Sequence, residues 1–256
     1  MPTLLLSSRQ TDDAQQLWRA CIAEKWRVIR LHDWRVPEVS PSDVAVYGEP
    51  LFARLVAQSL ALRLEEPPLD WLPRLALRWR GRAVRLTTLA DARNVSIRSF
   101  IKPAEEKCFE ARVYSSGAEL PPPGPLPEDL PVLVQDVVDW TAEYRCFVLE
   151  RKVVAASAYW RNGRSAKSEN GLWSMDQQEL GEAIAFCKAL LQDQTAAVPE
   201  AVAVDVGIIQ NHGWAVVECN AAFGSGIYGC DPVEVLRVLR RACEAPPKMT
   251  PPALSL

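Results

Sequence analysis

Three oxygen-bearing side chains late in the chain carry the most chemistry. In WAVVECNAA, residues 214–222, a glutamate and an asparagine stand two apart at the end of an apolar run. Side chains alternate along a strand, so Glu218 and Asn220 share one face while Val217 and Cys219 take the other. The preceding segment AVAVDVGIIQ surrounds Asp205 with apolar residues, and Asn211, His212 and Gly213 between the two segments have turn chemistry. An antiparallel hairpin then sets Asp205 across from Glu218 and Asn220, within reach of one cation. A carboxylate in apolar company needs a balancing partner. Hard oxygen donors of this kind suit Mg2+, which keeps waters and substrate phosphates in its shell. The alternative is a carboxylate capped by backbone amides or by an arginine at the end of the sheet.

These side chains have to be held by strands, and the pattern supplies them. PTLLLSS reads as a strand, followed by a helix over TDDAQQLWRACIAEKW behind a Thr-Asp-Asp cap, two brief strands in RVIRL and DVAVYG, and a helix that opens with the proline of EPLFARLVAQSLALRL. This front part predicts an α/β layer of parallel strands with a boundary near Leu86. EEPPLDWLPRLALRWRGR and TTLADAR form a bridge. From Asn94 the strands lengthen: NVSIRSFIKP ends in Lys102, PVLVQDVV follows a proline-rich loop, and YRCFVLERKVVAASAYW is a hairpin turning near Arg151. A helix over DQQELGEAIAFCKALLQD precedes the hairpin that carries Asp205 and Glu218, and a last amphipathic helix spans DPVEVLRVLRRACEA. PPKMTPPALSL reads as a loose tail.

Composition removes several function classes. The chain has 256 residues, 48% hydrophobic and 24% charged, enough for one or two cores, and its net charge of −3 gives no general footprint for nucleic acid or an anionic membrane. Seven scattered cysteines without a CxxC pair, and only two histidines, point to reduced thiols rather than disulfides or zinc. No apolar run reaches the roughly 20 residues of a membrane helix, and the start lacks the features of a signal peptide, so a cytoplasmic protein is expected. Neither GxxxxGK[ST] nor GxGxxG occurs, so a nucleotide site must be of another kind. Nine tryptophans read mostly as core, and the basic run from Arg78 to Arg85 reads as a solvated face, with an anionic macromolecule as the alternative.

Taken in order, the strand-end Lys102, VLVQDVV, EYRCFV, DVG and VVECNAAFGSG resemble the ATP-grasp superfamily, most of all a clade of compact ATP-grasp domains of bacterial and phage proteins. The resemblance covers about residues 94–245, with the front part fitting the family's preceding α/β subdomain more loosely. It implies an N-terminal α/β subdomain (1–86), then two α+β subdomains that clasp ATP (about 87–134 and 135–245), and a tail at 246–256. It implies ATP and Mg2+ as cofactors and a ligase that joins a small-molecule or peptide carboxylate to an amine acceptor through an acyl phosphate.

By the same resemblance, Lys102 and Lys107 contact the ATP phosphates, although Lys107 in EEK also reads as a solvated lysine. Gln135, Asp136 and Val137 form the hinge against adenine, Glu143 binds ribose, and Asp205, Glu218 and Asn220 hold Mg2+. Arg145 alternates with Glu143 and so faces the same side; the catalytic candidates are Lys102, Arg145 and Arg161, the two arginines for bracing the transferred phosphoryl group or the substrate carboxylate, with pairing to Glu143 or Asp139 as their alternative. The glycines and serine of AAFGSGIYGCDP suggest backbone amides near an acyl phosphate. No Gly-rich phosphate lid follows Lys102; only Ser115, Ser116 and Gly117 have suitable chemistry. Two other readings stay open: a different phosphoryl-transfer enzyme on the same scaffold, and a non-catalytic ATP-binding or interaction module.

Overall fold

The computed structural model describes residues 1–33, 35–105, 107–173 and 175–244, so the expected tail at 246–256 lies outside the described residues. The front part is the parallel layer that the sequence predicts. β1 (Thr3–Leu6) is buried along its whole length, because it runs between β2 (Arg27–Arg30) and β3 (Val44–Tyr47), parallel to both. α1 (Asp12–Ala23) starts where the Thr11 hydroxyl accepts the Ala14 N–H, and it buries Ala14, Leu17, Ala20 and Cys21. α2 (Pro50–Ser59) has its proline in the first turn, where no N–H is needed.

β4 (Arg63–Leu64) and the one-turn helices α3 (Trp71–Arg74) and α4 (Leu77–Arg80) lead into the second sheet. That sheet is antiparallel, in the order β5 (Val84–Thr88), β8 (Pro131–Gln135), β6 (Ser99–Pro103), β7 (Arg112–Tyr114), with α5 (Leu89–Ala92) on one face. Two expected boundaries fall within this sheet: Leu86 lies inside β5, paired with Leu133, and Gln135 pairs with Val84 in the same ladder.

The third sheet supplies the floor of the site. Its order is β11 (Arg164–Ser165), β10 (Lys152–Arg161), β9 (Trp140–Leu149), β12 (Ala201–Ile209), β13 (Gly213–Ala221). One face, with Tyr144, Cys146, Val204, Val206 and Val216, packs on α6 (Gln177–Gln192) through Ala183, Cys187 and Leu190. The other face is apolar at one end, where Phe147 and Ala203 meet the N-terminal core, and polar at the end nearer the second sheet. α7 (Pro232–Arg241) covers the apolar end and joins the N-terminal core through Val235, Leu236, Val238 and Leu239, each side chain worth about 1.5–3 kcal/mol of burial. β14 (Cys243–Glu244) then pairs with β4.

Two bulges set which side chains reach the polar end. In β13, Glu218 pairs with Asp205 but Val216 pairs with Val206, leaving Val217 as the extra residue. In β10, Ala158 pairs with Tyr144 but Trp160 pairs with Glu143, leaving Tyr159 as the extra residue.

Candidate active site

The bulge in β13 lets one strand serve a core and a cleft. Strict alternation would put Val216 on the face of Glu218; with Val217 extra, Val216 packs toward α6 while Glu218 and Asn220 turn to the other side. Asp205, Glu218 and Asn220 come together there as the sequence predicts. The Asn220 amide donates to Glu218 Oε1 at 2.9 Å and approaches Asp205 Oδ2 at 3.4 Å. Lys102 on β6 completes the group by ion pairing directly with Glu218, so a side chain from the second sheet meets the third across the cleft.

The two carboxylates are balanced differently. Burial alone would raise the Glu218 carboxyl, but Lys102 and then Asn220 hold it down to about 2. Asp205 is fully enclosed. Its oxygens receive the Arg145 fork, Nε to Oδ1 at 2.9 Å and Nη2 to Oδ2 at 2.6 Å, and Arg145 Nη1 donates to the Gly226 carbonyl at 2.9 Å. Burial raises the Asp205 carboxyl even so, with Arg145 opposing the rise. For Arg145, burial works toward a lower value, and Asp205 outweighs it. The partner of Arg145 is thus Asp205 rather than Glu143 or Asp139, which is the arginine-capped arrangement left open by the sequence.

Aromatic rings enclose that pair. The guanidinium lies over Tyr228 at 4.9 Å and Tyr159 at 5.5 Å, and the two rings stack with centroids 4.8 Å apart. Tyr228 holds this place with φ +50°, a left-handed conformation that a bulky residue rarely takes. Glu143 sits beside them and accepts the Tyr159 hydroxyl; burial raises its carboxyl and that hydrogen bond opposes the rise. From the N-terminal layer, Asp13 accepts the Ile227 N–H at 3.1 Å and the Tyr47 hydroxyl at 3.3 Å, with its carboxyl raised by burial.

Several expectations need correction. Arg161 is not in the cleft. The bulge at Tyr159 inverts the alternation, so Arg161 faces α6, where it donates to Glu179 and to the Tyr144 hydroxyl. Lys107 lies exposed in the β6–β7 connection and meets none of the site's side chains among the described residues. At the hinge, the Asp136 N–H donates to the Ala83 carbonyl and its carboxylate accepts the Ala83 N–H, while the Gln135 side chain accepts from Arg82; these groups are committed within the protein, and Val137 follows them in the connection. The loop after β13 is no open cradle of amides, since Ser225 N–H goes to Ala222, Ile227 N–H to Asp13 and Gly229 N–H to Ser157. Nor do Ser115 to Gly117 form a lid: Gly117 is wedged against the backbone of Ala92 and Arg93.

Arg82 is the residue that sequence reasoning misses. Within the run that reads as a solvated face, Arg78 pairs with Asp193, Arg80 donates to the Pro73 and Val84 carbonyls, and Arg82 is 5% exposed. It donates to the Val216 and Val217 carbonyls at 2.8 and 2.9 Å and to Gln135 Oε1 at 2.9 Å, over the Trp140 ring. Burial lowers it to about 10. The signal is Gly81, whose φ of +64° and contact with Ile209 and Ala215 mark a chain pressed against the β12–β13 hairpin.

As a setting for Mg2+, the group fits in donor type and convergence: two carboxylates and an amide on one sheet face, with Lys102 and Arg145 balancing their charge. Among the described residues, no group of three or more His, Cys, Asp or Glu is placed to hold a metal ion.

A cleft between two antiparallel sheets, with a lysine from one and carboxylates from the other, defines the ATP-grasp architecture. The sequence matches the model of an ATP-grasp domain, family 2 of its clade, over residues 79–238, more than half of the chain, and the protein belongs to that family. Among solved structures it is similar to a RimK domain ATP-grasp protein from Sphaerobacter thermophilus DSM 20745 (TM-score 0.54, 16% identity, 94% of this chain and 99% of that one). It is also similar to an L-amino acid ligase from Bacillus licheniformis (0.51, 12%, 90% and 69%) and to the ATP-grasp ligase PsnB complexed with a phosphomimetic variant of its minimal precursor, Mg and ADP (0.52, 11%, 94% and 97%). No curated protein matches the sequence. No described helix is long and apolar enough to cross a membrane.

Proposed function

We propose that the protein is an ATP- and Mg2+-dependent carboxylate–amine ligase that works through an acyl phosphate. The observation that carries this reading is the ion pair of Lys102 with Glu218 across the cleft, beside Asn220 and the Arg145–Asp205 pair. The ligase neighbours support it at the level of fold. Asp205, Glu218 and Asn220 would hold Mg2+, which when bound offsets the charge of the ATP phosphates. Lys102 is a point cation for those phosphates, Glu143 receives ribose hydroxyls, and Val137 with its neighbours faces adenine.

In this reading a substrate carboxylate oxygen attacks the γ-phosphorus, the bond to the β–γ bridging oxygen breaks, and ADP leaves with that electron pair. The amine nitrogen of the acceptor then attacks the acyl carbon; the C–O bond to phosphate breaks, inorganic phosphate departs and the amine proton passes to it or to water. Arg145, whose fork is taken up by Asp205, contributes as a fixed positive charge behind the site rather than by a direct contact. The carboxylate belongs to a small molecule or peptide, and the free cysteines suit a cytoplasmic setting. Hydroxylamine supplied with ATP, Mg2+ and a panel of amino acids and peptides tests this: a hydroxamate that forms only with all components is expected. ADP release without hydroxamate would replace the ligase by a kinase.

A further inference from the structure

Arg82 has no place in the chemistry above, yet among the described residues it is a deeply buried cation with each of its three nitrogens donating to a protein acceptor at the edge of the site. Its two terminal nitrogens reach the carbonyls on either side of the bulge, Val216 and Val217, with Nη1 also on the Arg80 carbonyl. Its Nε reaches Gln135, the last residue of β8 before the connection between the two sheets. A bulge disrupts the ladder locally and leaves its extra residue unpaired. Here the guanidinium takes up the carbonyls at that interruption, in a planar fork that a lysine cannot reproduce.

The next residue along is Glu218. Its direction into the cleft, opposite to Val216, depends on the bulge keeping its shape. Gly81 lets the chain approach closely enough for this, since a Cβ there would meet Ile209 Cδ1 at 2.9 Å. Gly207, on the neighbouring strand, leaves room for the Trp140 ring on which Arg82 lies; a Cβ there would meet that ring at 2.8 Å.

We propose that Arg82 is a positioning residue: by clamping the Val217 bulge to Gln135 it fixes the separation at which Glu218 and Asn220 meet Asp205, and so sets the affinity for the divalent cation. The inference rests on the metal role proposed for that trio. It also ties the hinge to the metal end of β13, so a change at Gln135 is felt at Glu218.

The test uses the full chain with Mn2+ as the probe, followed by the electron paramagnetic resonance of free Mn2+ in the presence of a non-hydrolysable ATP analogue. Calorimetry measures the analogue alone, without metal. Arg82→Lys is expected to weaken Mn2+ binding about tenfold or more while the metal-free affinity for the analogue stays within about twofold, the pattern of a residue supporting metal ligands from behind. Unchanged Mn2+ affinity would overturn the inference. An equal loss of metal-free analogue binding would also overturn it, by making Arg82 a direct phosphate contact. Should Arg82→Lys not fold, Gln135→Met removes only the acceptor of Nε and is expected to cost about threefold in Mn2+ affinity; no loss there sinks the idea. Failure of the unaltered protein to take up Mn2+ with the analogue would instead remove the proposed function, and this inference with it.

Discussion

The hairpins β9–β10 and β12–β13 each carry a bulge near the cleft, with opposite results. At Val217 the extra residue turns Glu218 and Asn220 toward the cleft while Val216 stays in the core. At Tyr159 it removes Arg161 from the cleft and leaves a tyrosine hydroxyl on Glu143 in its stead. A single inserted residue therefore decides whether a charged side chain serves chemistry or packs on a helix, and alternation is trustworthy only between bulges.

That contrast is broken most directly by paired substitutions. Glu218→Gln is expected to lower Mg2+-dependent ADP release by about 10²-fold or more, a loss of the size seen when one electrostatic stabiliser is removed, whereas Arg161→Gln leaves turnover unaltered. Equal losses from both would erase the distinction. Stability separates the sealed ion pair from the open one. Arg145→Ala leaves Asp205 buried and uncompensated, and urea unfolding is expected to show a loss of about 3–5 kcal/mol. Gly81→Ala forces a Cβ into the left-handed region against β12 and β13, with about 1–2 kcal/mol expected from the backbone alone.

The pH dependence sharpens the comparison further. The Glu218 carboxyl is held at about 2, below the ordinary 4.5, so the Lys102 pair contributes its full stability above that ordinary value and loses it as pH falls toward 2. Unfolding midpoints measured between pH 6 and 3 should fall more steeply for the unaltered protein than for Glu218→Gln. The smallest effect is for Arg161→Gln on stability, about 0.2–1 kcal/mol, because its pair with Glu179 is partly exposed, 35% and 29% for the two side chains.

Much of this was legible from residue order. The parallel front layer, both late hairpins and the convergence of Asp205, Glu218 and Asn220 follow from apolar periodicity and a turn at Asn211 to Gly213. The placement of Arg161 was not, because nothing in AYWRNG marks Tyr159 as an extra residue. Arg82 was hidden for a different reason: a run of arginines looks solvated until the carbonyls that take up its donors are known, and those belong to residues more than a hundred positions away. The expected subdomain boundaries at Leu86 and before Gln135 fall within a continuous ladder that composition does not delimit.

The path of α7 has a consequence for how the chain is made. The parallel layer of β1–β3 is roofed by α7, which follows both later sheets in the chain, and β4 gains its partner only when Cys243 and Glu244 arrive. That layer therefore waits, partly uncovered, through the synthesis of both later sheets, and its core closes only when α7 docks.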